Sequence, residues 1–472
     1  MSEKNTVVDA SPVKSFFVQM LIRDIELSDA ILDLLDNCID GVVRTSKHGV
    51  ANRYKGYRIE IELSKRSFMI RDNCGGIPLD ILKNYAFRMG RVASMPKDNV
   101  ATVGTFGIGM KRAIFKMGEC CEVLTRSNRD FDKGPRKACK VTILPEWIKD
   151  EQKWDIPYEI VATSELKDFG TQIYVSDLNE STKKVFDCEL SGFDEKMRQQ
   201  ISVTYGFMIS KGLEITVNGK EVVAAPLVLK CGDGVSPYMY KATIEGVDVF
   251  LAIGLTAPLL EGDGTLEDSG PAKYSAQYAG WTVMCNDRVV LYADKSILTG
   301  WGEAGVPQFH PQYNSICGIV AFNATDARVL PTTTTKRGID AANPIYLKVK
   351  NFMREGTKAC VKFTNDWKTR ETEVKGVINA VRRVHFQDMK EDSKGTLTAI
   401  KFVAAGKGFP GKVAKAKLPV PPRKDSGKVT CSFLAEKAHV ASVAEFLQVS
   451  AVAPGKVAQE AFYYVYEEAI ES

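Results

Sequence analysis

The stretch SDAILDLLDNCIDG, residues 28–41, decides the reading of this chain. Its spacing predicts an amphipathic helix, with Ser28 as the cap and Gly41 as the stop. Ile31, Leu32, Leu34, Leu35 and Ile39 form the apolar side, while Asp33, Asp36, Asn37 and Asp40 recur at i, i+3, i+4 and i+7 on one face. A carboxylate one turn before a carboxamide sets a candidate general base, Asp33, beside an oxygen donor, Asn37, of the hard kind that Mg2+ prefers. A solvated acidic helix face is the plain alternative for this piece alone.

Two further pieces carry chemistry. YRIEIELSKRSFMIRDN, residues 57–73, alternates on either side of Ser64-Lys65 and predicts a hairpin that ends at Asp72. Directly after it stands Asp72-Asn73-Cys74-Gly75-Gly76-Ile77, where an Asp can accept a hydrogen bond from an exocyclic amine such as that of adenine. Gly76 would let the backbone approach a flat ring. The alternative there is a simple strand-ending turn. The third piece, VGTFGIGMKRAIFKMG at residues 103–118, is a glycine-rich loop entering a helix, and backbone N–H groups at a helix start bind phosphate. It is not a P-loop, because Met110 separates Gly109 from Lys111 and Arg112 stands where the Mg2+-binding Ser or Thr would be. Nor is it a dinucleotide fingerprint, since Arg112 occupies the place of the last glycine.

Strand-like runs follow at residues 121–127, 140–144 and 171–176. A second αβ region begins near Phe193, with a helix, a strand and an Asn218-Gly219 turn. β-rich sequence continues to NSICGIVAF, before the polar loop LPTTTTKRGID. Residues 344–384 look mainly helical, with Gly356 and Gly376 as weak points. Two more helical segments close the chain.

Order and spacing of the three pieces resemble the GHKL ATPase superfamily, which includes gyrase-type topoisomerases, MutL, MORC proteins, the ninety-kilodalton heat-shock chaperones and histidine kinases. Residues 33–40 match that family's E-x-x-x-N-x-x-D helix, residues 72–76 its D-x-G-x-G box and residues 104–109 its second glycine box. Gly170-Thr171 matches the threonine beside the adenine-binding Asp. The resemblance spans roughly residues 15–190 and continues more loosely to about residue 345. It implies an α+β fold: a Bergerat-type α/β sandwich over 1–192, with a lid at about 88–106, and a transducer-like αβ domain over 193–343. Beyond these the reading places a helical region at 344–400, a basic linker at 401–428 and a small helical tail at 429–472.

Carried over by position, the resemblance implies that Asn37 binds Mg2+ and phosphate oxygens, Asp72 the adenine amine, and Gly76 and Ile77 the ring. Asp40 and Thr171 complete the pocket, and Gly104, Phe106, Gly107, Ile108, Gly109, Met110 and Lys111 hold the phosphates. Asp33 would activate water, and Lys336, in the polar loop, would report the γ-phosphate to the transducer; a surface loop lysine is its alternative. The expected activity is an ATP- and Mg2+-dependent switch whose closure promotes a homodimer, with a nucleotide-dependent binding module or a client remodeller as the competing readings. A DNA or protein partner, in genome maintenance or anti-phage defence, is expected only by analogy.

Two departures bear on rate. Asp33 stands where the family usually has Glu, and a misplacement of about 1 Å can cost on the order of a hundredfold, so hydrolysis is expected to be slow. Cys74 replaces the first glycine of its box.

The 472 residues bound the remainder. Hydrophobic content of 44% and charged content of 26% are those of a globular chain. No run approaches a spanning helix, and an intracellular, cytoplasmic protein without a membrane partner is expected. Eleven cysteines without a C-x-x-C pair and four scattered histidines argue against a disulfide framework or a zinc cluster. The net charge of +5 is unevenly spread: residues 401–428 hold eight basic residues against Asp425, a local +7, so the remainder sums to −2. That segment is a candidate contact for nucleic-acid phosphates, and a solvated linker is the alternative.

Overall fold

Apolar residues alternate along Arg58–Leu63 so that Ile59, Ile61 and Leu63 turn inward, and this strand belongs to the first of two large sheets. The computed structural model describes residues 13–46, 53–90, 102–103, 107–131, 137–151, 153–232, 234–256, 277–333, 335–391, 400–421, 427, 431–450 and 453–471. The chain forms two compact units, residues 1–420 and 421–472.

The first layer contains helices α1 (Lys14–Arg23), α2 (Leu27–Thr45), α3 (Leu79–Ile81), α4 (Gly109–Met117), α5 (Pro145–Lys149), α6 (Glu180–Val185), α7 (Cys188–Ser191), α8 (Phe193–Thr204) and α9 (Gly206–Ser210). Its strands are β1 (Arg58–Leu63), β2 (Phe68–Asp72), β3 (Gly118–Arg126), β4 (Lys137–Ile143), β5 (Tyr158–Ala162), β6 (Gly170–Leu178), β7 (Glu214–Val217) and β8 (Lys220–Glu221). They form one sheet in the order β5-β4-β3-β6-β2-β1-β7-β8. The expected hairpin is present, with β1 and β2 antiparallel and Ile61 opposite Ile70. Helices α2 and α4 supply Ile31, Leu35, Ile39, Ala113 and Ile114 to the core against the sheet's apolar face.

The first layer runs past residue 192, where the sequence reading ended it. Strand β7 pairs parallel with β1, Ile59 opposite Ile215, and Met197, Ile201, Tyr205 and Val217 lie in the same core as α2. The Asn218-Gly219 turn therefore closes this sheet, and Asn218 Oδ1 accepts from Leu63 N at 2.7 Å. Helix α2 also runs past Gly41. A Cβ on Gly41 would lie 2.6 Å from the Cys74 carbonyl oxygen, so this glycine permits a close crossing instead of stopping the helix. At the other end, Ser28 lies inside the helix and its hydroxyl donates to Asp29 Oδ1.

The second layer is a sheet in the order β13-β12-β14-β11-β10-β17-β16, built from β10 (Tyr238–Ile244), β11 (Val247–Leu255), β12 (Gly280–Cys285), β13 (Arg288–Asp294), β14 (Ile316–Asn323), β16 (Val403–Ala404) and β17 (Lys412–Ala414). A short pair, β9 (Val228–Lys230) with β15 (Arg383–His385), lies outside it. The helix Pro344–Trp367 packs Tyr346, Val349 and Met353 onto one face. Gly356 is no weak point in that helix: a Cβ there would meet Ile253 Cγ2 at 2.3 Å, so the missing side chain lets helix and sheet approach. Part of the 401–428 stretch is sheet, not linker. Lys412–Ala414 pairs with β10, burying Val413 and Ala414 in the cores on opposite faces of the sheet and leaving Lys412, Lys415 and Lys417 exposed.

The 421–472 unit contains the two expected helices, Lys437–Phe446 and Pro454–Glu471, which pack on each other. Among the described residues no helix is long and apolar enough to cross a membrane.

Candidate functional site

Asp72 ends β2, where the sheet stops supplying partners and its carboxylate can turn to other donors. Asp72 Oδ1 accepts from Cys74 N at 2.7 Å and from Thr171 N, on neighbouring β6, at 3.3 Å. Burial pushes its carboxyl above the usual range, against the hydrogen bonds it accepts. The Cys38 and Cys74 thiols also face this carboxyl, and burial pushes both thiols well up. Thr125 of β3, which no sequence signal singled out, links the pieces: its hydroxyl accepts from Ile77 N at 2.7 Å and lies 3.1 Å from Thr171 Oγ1. Gly76 has φ +69°, and a Cβ would stand 2.2 Å from the Arg126 carbonyl oxygen. The demand on Gly76 thus comes already from the protein's own strand β3.

Helix α2 passes the Asp72 site with two different flanks. On one, Asn37 is exposed between the buried Asp33 and Asp40. The Arg112 guanidinium of α4 donates to Asp33 Oδ2, and the helices cross where a Gly109 Cβ would lie 3.3 Å from the Asp33 Cβ. Asp40 Oδ1 accepts from Val103 N at 2.5 Å, tying the C-terminal base of the expected lid to α2. Gly104 and Phe106, and most of the 88–106 lid, lie outside the described residues.

At the start of α4, Gly107 has φ +68° and Ile108 occupies the cap position before Gly109 and Met110. Lys111, 3% exposed, donates from Nζ to the Gly107 carbonyl and, at 3.0 Å, to that of Ala86, so it braces the glycine loop. Burial pulls its pKa down to about 8.

The other flank of α2 presents Asp36, completely buried. Its Oδ1 accepts from Arg288 Nε and Tyr205 OH, each at 2.8 Å, and its Oδ2 from Lys336 Nζ at 2.8 Å. Burial opposes the charge, but Arg288 and Lys336 outweigh it and hold the carboxyl below its usual range. Lys336, expected at a γ-phosphate, is thus bound to the residue next to Asn37. Its backbone has φ +58°, a left-handed conformation unusual outside glycine, and its carbonyl accepts from Arg288. Arg288 and Tyr205 carried no motif that would have marked them.

Among the described residues no cluster of three His, Cys, Asp or Glu side chains could hold a metal. The donors fit Mg2+ in a different way: Asn37 offers one hard oxygen, and Mg2+ commonly keeps its waters and rides on substrate phosphates.

No curated protein matches the chain. Residues 25–173 match the family model of histidine kinase-, DNA gyrase B- and HSP90-like ATPases, a span that holds every residue described above from Asp33 to Thr171 and supports placing this domain in the GHKL superfamily.

Proposed function

We propose that the chain is an ATP-operated switch. ATP is the substrate, with Asp72 accepting from the adenine amine and Thr171 and Thr125 holding that carboxyl and the Ile77 backbone in place. Gly107 to Lys111 receive the phosphates, and Mg2+, held by Asn37 and phosphate oxygens, supplies charge neutralisation there. Asp33 accepts the proton of the attacking water. Its ion pair with Arg112 and its short side chain make turnover slow.

The observation that carries the switch is the division of α2. One turn of helix carries Asn37 on the flank towards the glycine loop and Asp36 on the flank held by Arg288 and Lys336 of the second layer. A shift of α2 is therefore felt by both. Transfer of Lys336 from Asp36 to a γ-phosphate couples nucleotide to the second layer, and closure favours a homodimer. The exposed Lys412, Lys415 and Lys417 are the residues through which this reading has the body contact DNA.

Steady-state phosphate release from the purified chain, with and without DNA, tests the reading. Magnesium-dependent release that Asp72→Asn abolishes supports it. Nucleotide binding without release leaves the binding module in its place, and absence of nucleotide binding overturns both. DNA affinity unchanged when the three lysines are neutralised removes that contact, and size-exclusion showing only monomer with a non-hydrolysable analogue removes the dimer.

A further inference from the structure

A cavity of about 460 Å3 opens between α8 and β13, on the Asp36 flank of α2. Apart from Lys336, none of the described residues assigned above to ATP lines it. Lys196, Gln199 and Gln200, at i, i+3 and i+4, bring one face of α8 to its wall, and Arg288, Lys336 and Arg337 line it as well. Among the described residues, every charged side chain on that wall is a cation. We infer that this cavity binds a phosphate-bearing small molecule of about nucleotide size.

Charge carries the argument. Arg288 and Lys336, with side chains 3% and 11% exposed, share the single carboxylate of Asp36, which among the described residues leaves one positive charge uncompensated in a largely dry region. Arg337 is matched by Asp29. Lys196, exposed at the mouth, pairs with no carboxylate among the described residues. Two cations thus lack a counter-charge, the complement of a phosphate dianion. Guanidinium, ammonium and carboxamide groups together are the donors that bind phosphate oxygens, Arg as a fork and Lys as a point charge. The volume lies within the roughly 300–1,000 Å3 of small-ligand sites, and Val203, Val289 and Leu291 add an apolar wall for the rest of such a molecule.

The test is calorimetric titration of pyrophosphate into the full chain, alone and with saturating ADP, repeated on Lys196→Glu with Gln200→Glu. The inference expects one pyrophosphate site that persists with ADP present and is weakened at least tenfold by the double substitution, while ADP affinity and melting temperature hold. No binding at millimolar pyrophosphate overturns it, as does equal affinity in the double variant or complete displacement by ADP. Should the chain bind no ADP, the ATP reading fails, and the charge-reversed pair still decides this site on its own. Binding of duplex DNA that the double substitution removes, with pyrophosphate unaffected, assigns the cations to a polymer and likewise overturns it.

Discussion

Lys336 Nζ lies 2.8 Å from Asp36 Oδ2, a contact between a loop of the second layer and a fully buried carboxylate of α2. Arg288 and Tyr205 complete the site around Asp36, so a single side chain joins groups from both layers. Removing one member of a buried ion pair costs about 3–5 kcal/mol, because the partners stay buried without their counter-charge. Asp36→Asn is expected to lower unfolding free energy by about that amount at neutral pH, read by denaturant titration. The folded pKa lies below the unfolded value, so this stabilisation is present above an unfolded carboxylate pKa of about 3.9 and is lost as pH falls through the folded value. The gap between wild type and variant must therefore narrow in acid. A gap that stays constant down to the acid transition excludes Asp36 as its source.

Asp33 sits where water activation is assigned, but Arg112 holds it. A positioned general base is worth about a hundredfold to ten-thousandfold in rate. Asp33→Ala is expected to reduce phosphate release at least a hundredfold, with ATP affinity kept within about threefold. Turnover that survives this change would take the role from Asp33.

How much of this was legible in the sequence depends on whether an interaction is local. The α2 motif, the hairpin and the turn at Asn218-Gly219 follow from spacing and turn chemistry within a few residues, and each is present. The extent of the first layer is not legible locally because β7 pairs with β1, some 155 residues earlier, and no local pattern reports that register. Gly41 and Gly356 look like helix breakers by propensity, yet each marks a place where two backbones or a helix and a sheet come close. At the site, Asp72 and Thr171 were readable as motif members. Thr125, Arg288 and Tyr205 were not, since their roles exist only once distant strands and helices meet.

Asp72 carries opposite expectations for binding and stability. Burial raises its folded pKa above the unfolded value, so the ionised carboxylate opposes folding once pH exceeds the unfolded pKa. Asp72→Asn keeps an oxygen to accept from Cys74 N and Thr171 N, and removes that charge. The variant is expected to lose adenine-nucleotide binding by tenfold or more and to melt no lower than wild type at pH 7. A marked fall in melting temperature would show that the carboxylate is structural.

Burial lowers the pKa of Lys111, which braces the glycine loop, to about 8. An incoming phosphate favours the charged amine, so nucleotide affinity is expected to fall as pH rises through about 8. Lys111→Met should flatten that dependence. Affinity that declines identically in both proteins assigns the effect to another group.

Asn286 ties Thr102, at the base of the expected lid, to the second layer. Its Nδ2 donates to the Thr102 carbonyl at 2.8 Å and to that of Ala324 at 3.1 Å, while its Oδ1 accepts from Ala324 N at 2.9 Å. The next residue, Val103, donates to Asp40 on α2, so two adjacent residues join α2 to the β12–β13 turn. Asn286→Asp keeps the size and the acceptor but removes both donors, leaving a carboxylate against two carbonyl oxygens; a buried group left unpaired costs about 1–3 kcal/mol, more when charged. Melting temperature is therefore expected to fall. The sharper measure is the rise in melting temperature on adding ATP with Mg2+, which reports binding to the folded state. That rise should shrink in the variant if residues 102–103, held between α2 and the second layer, take part in the response to nucleotide as proposed. An undiminished rise on a lowered baseline would make Asn286 a packing residue with no part in the response.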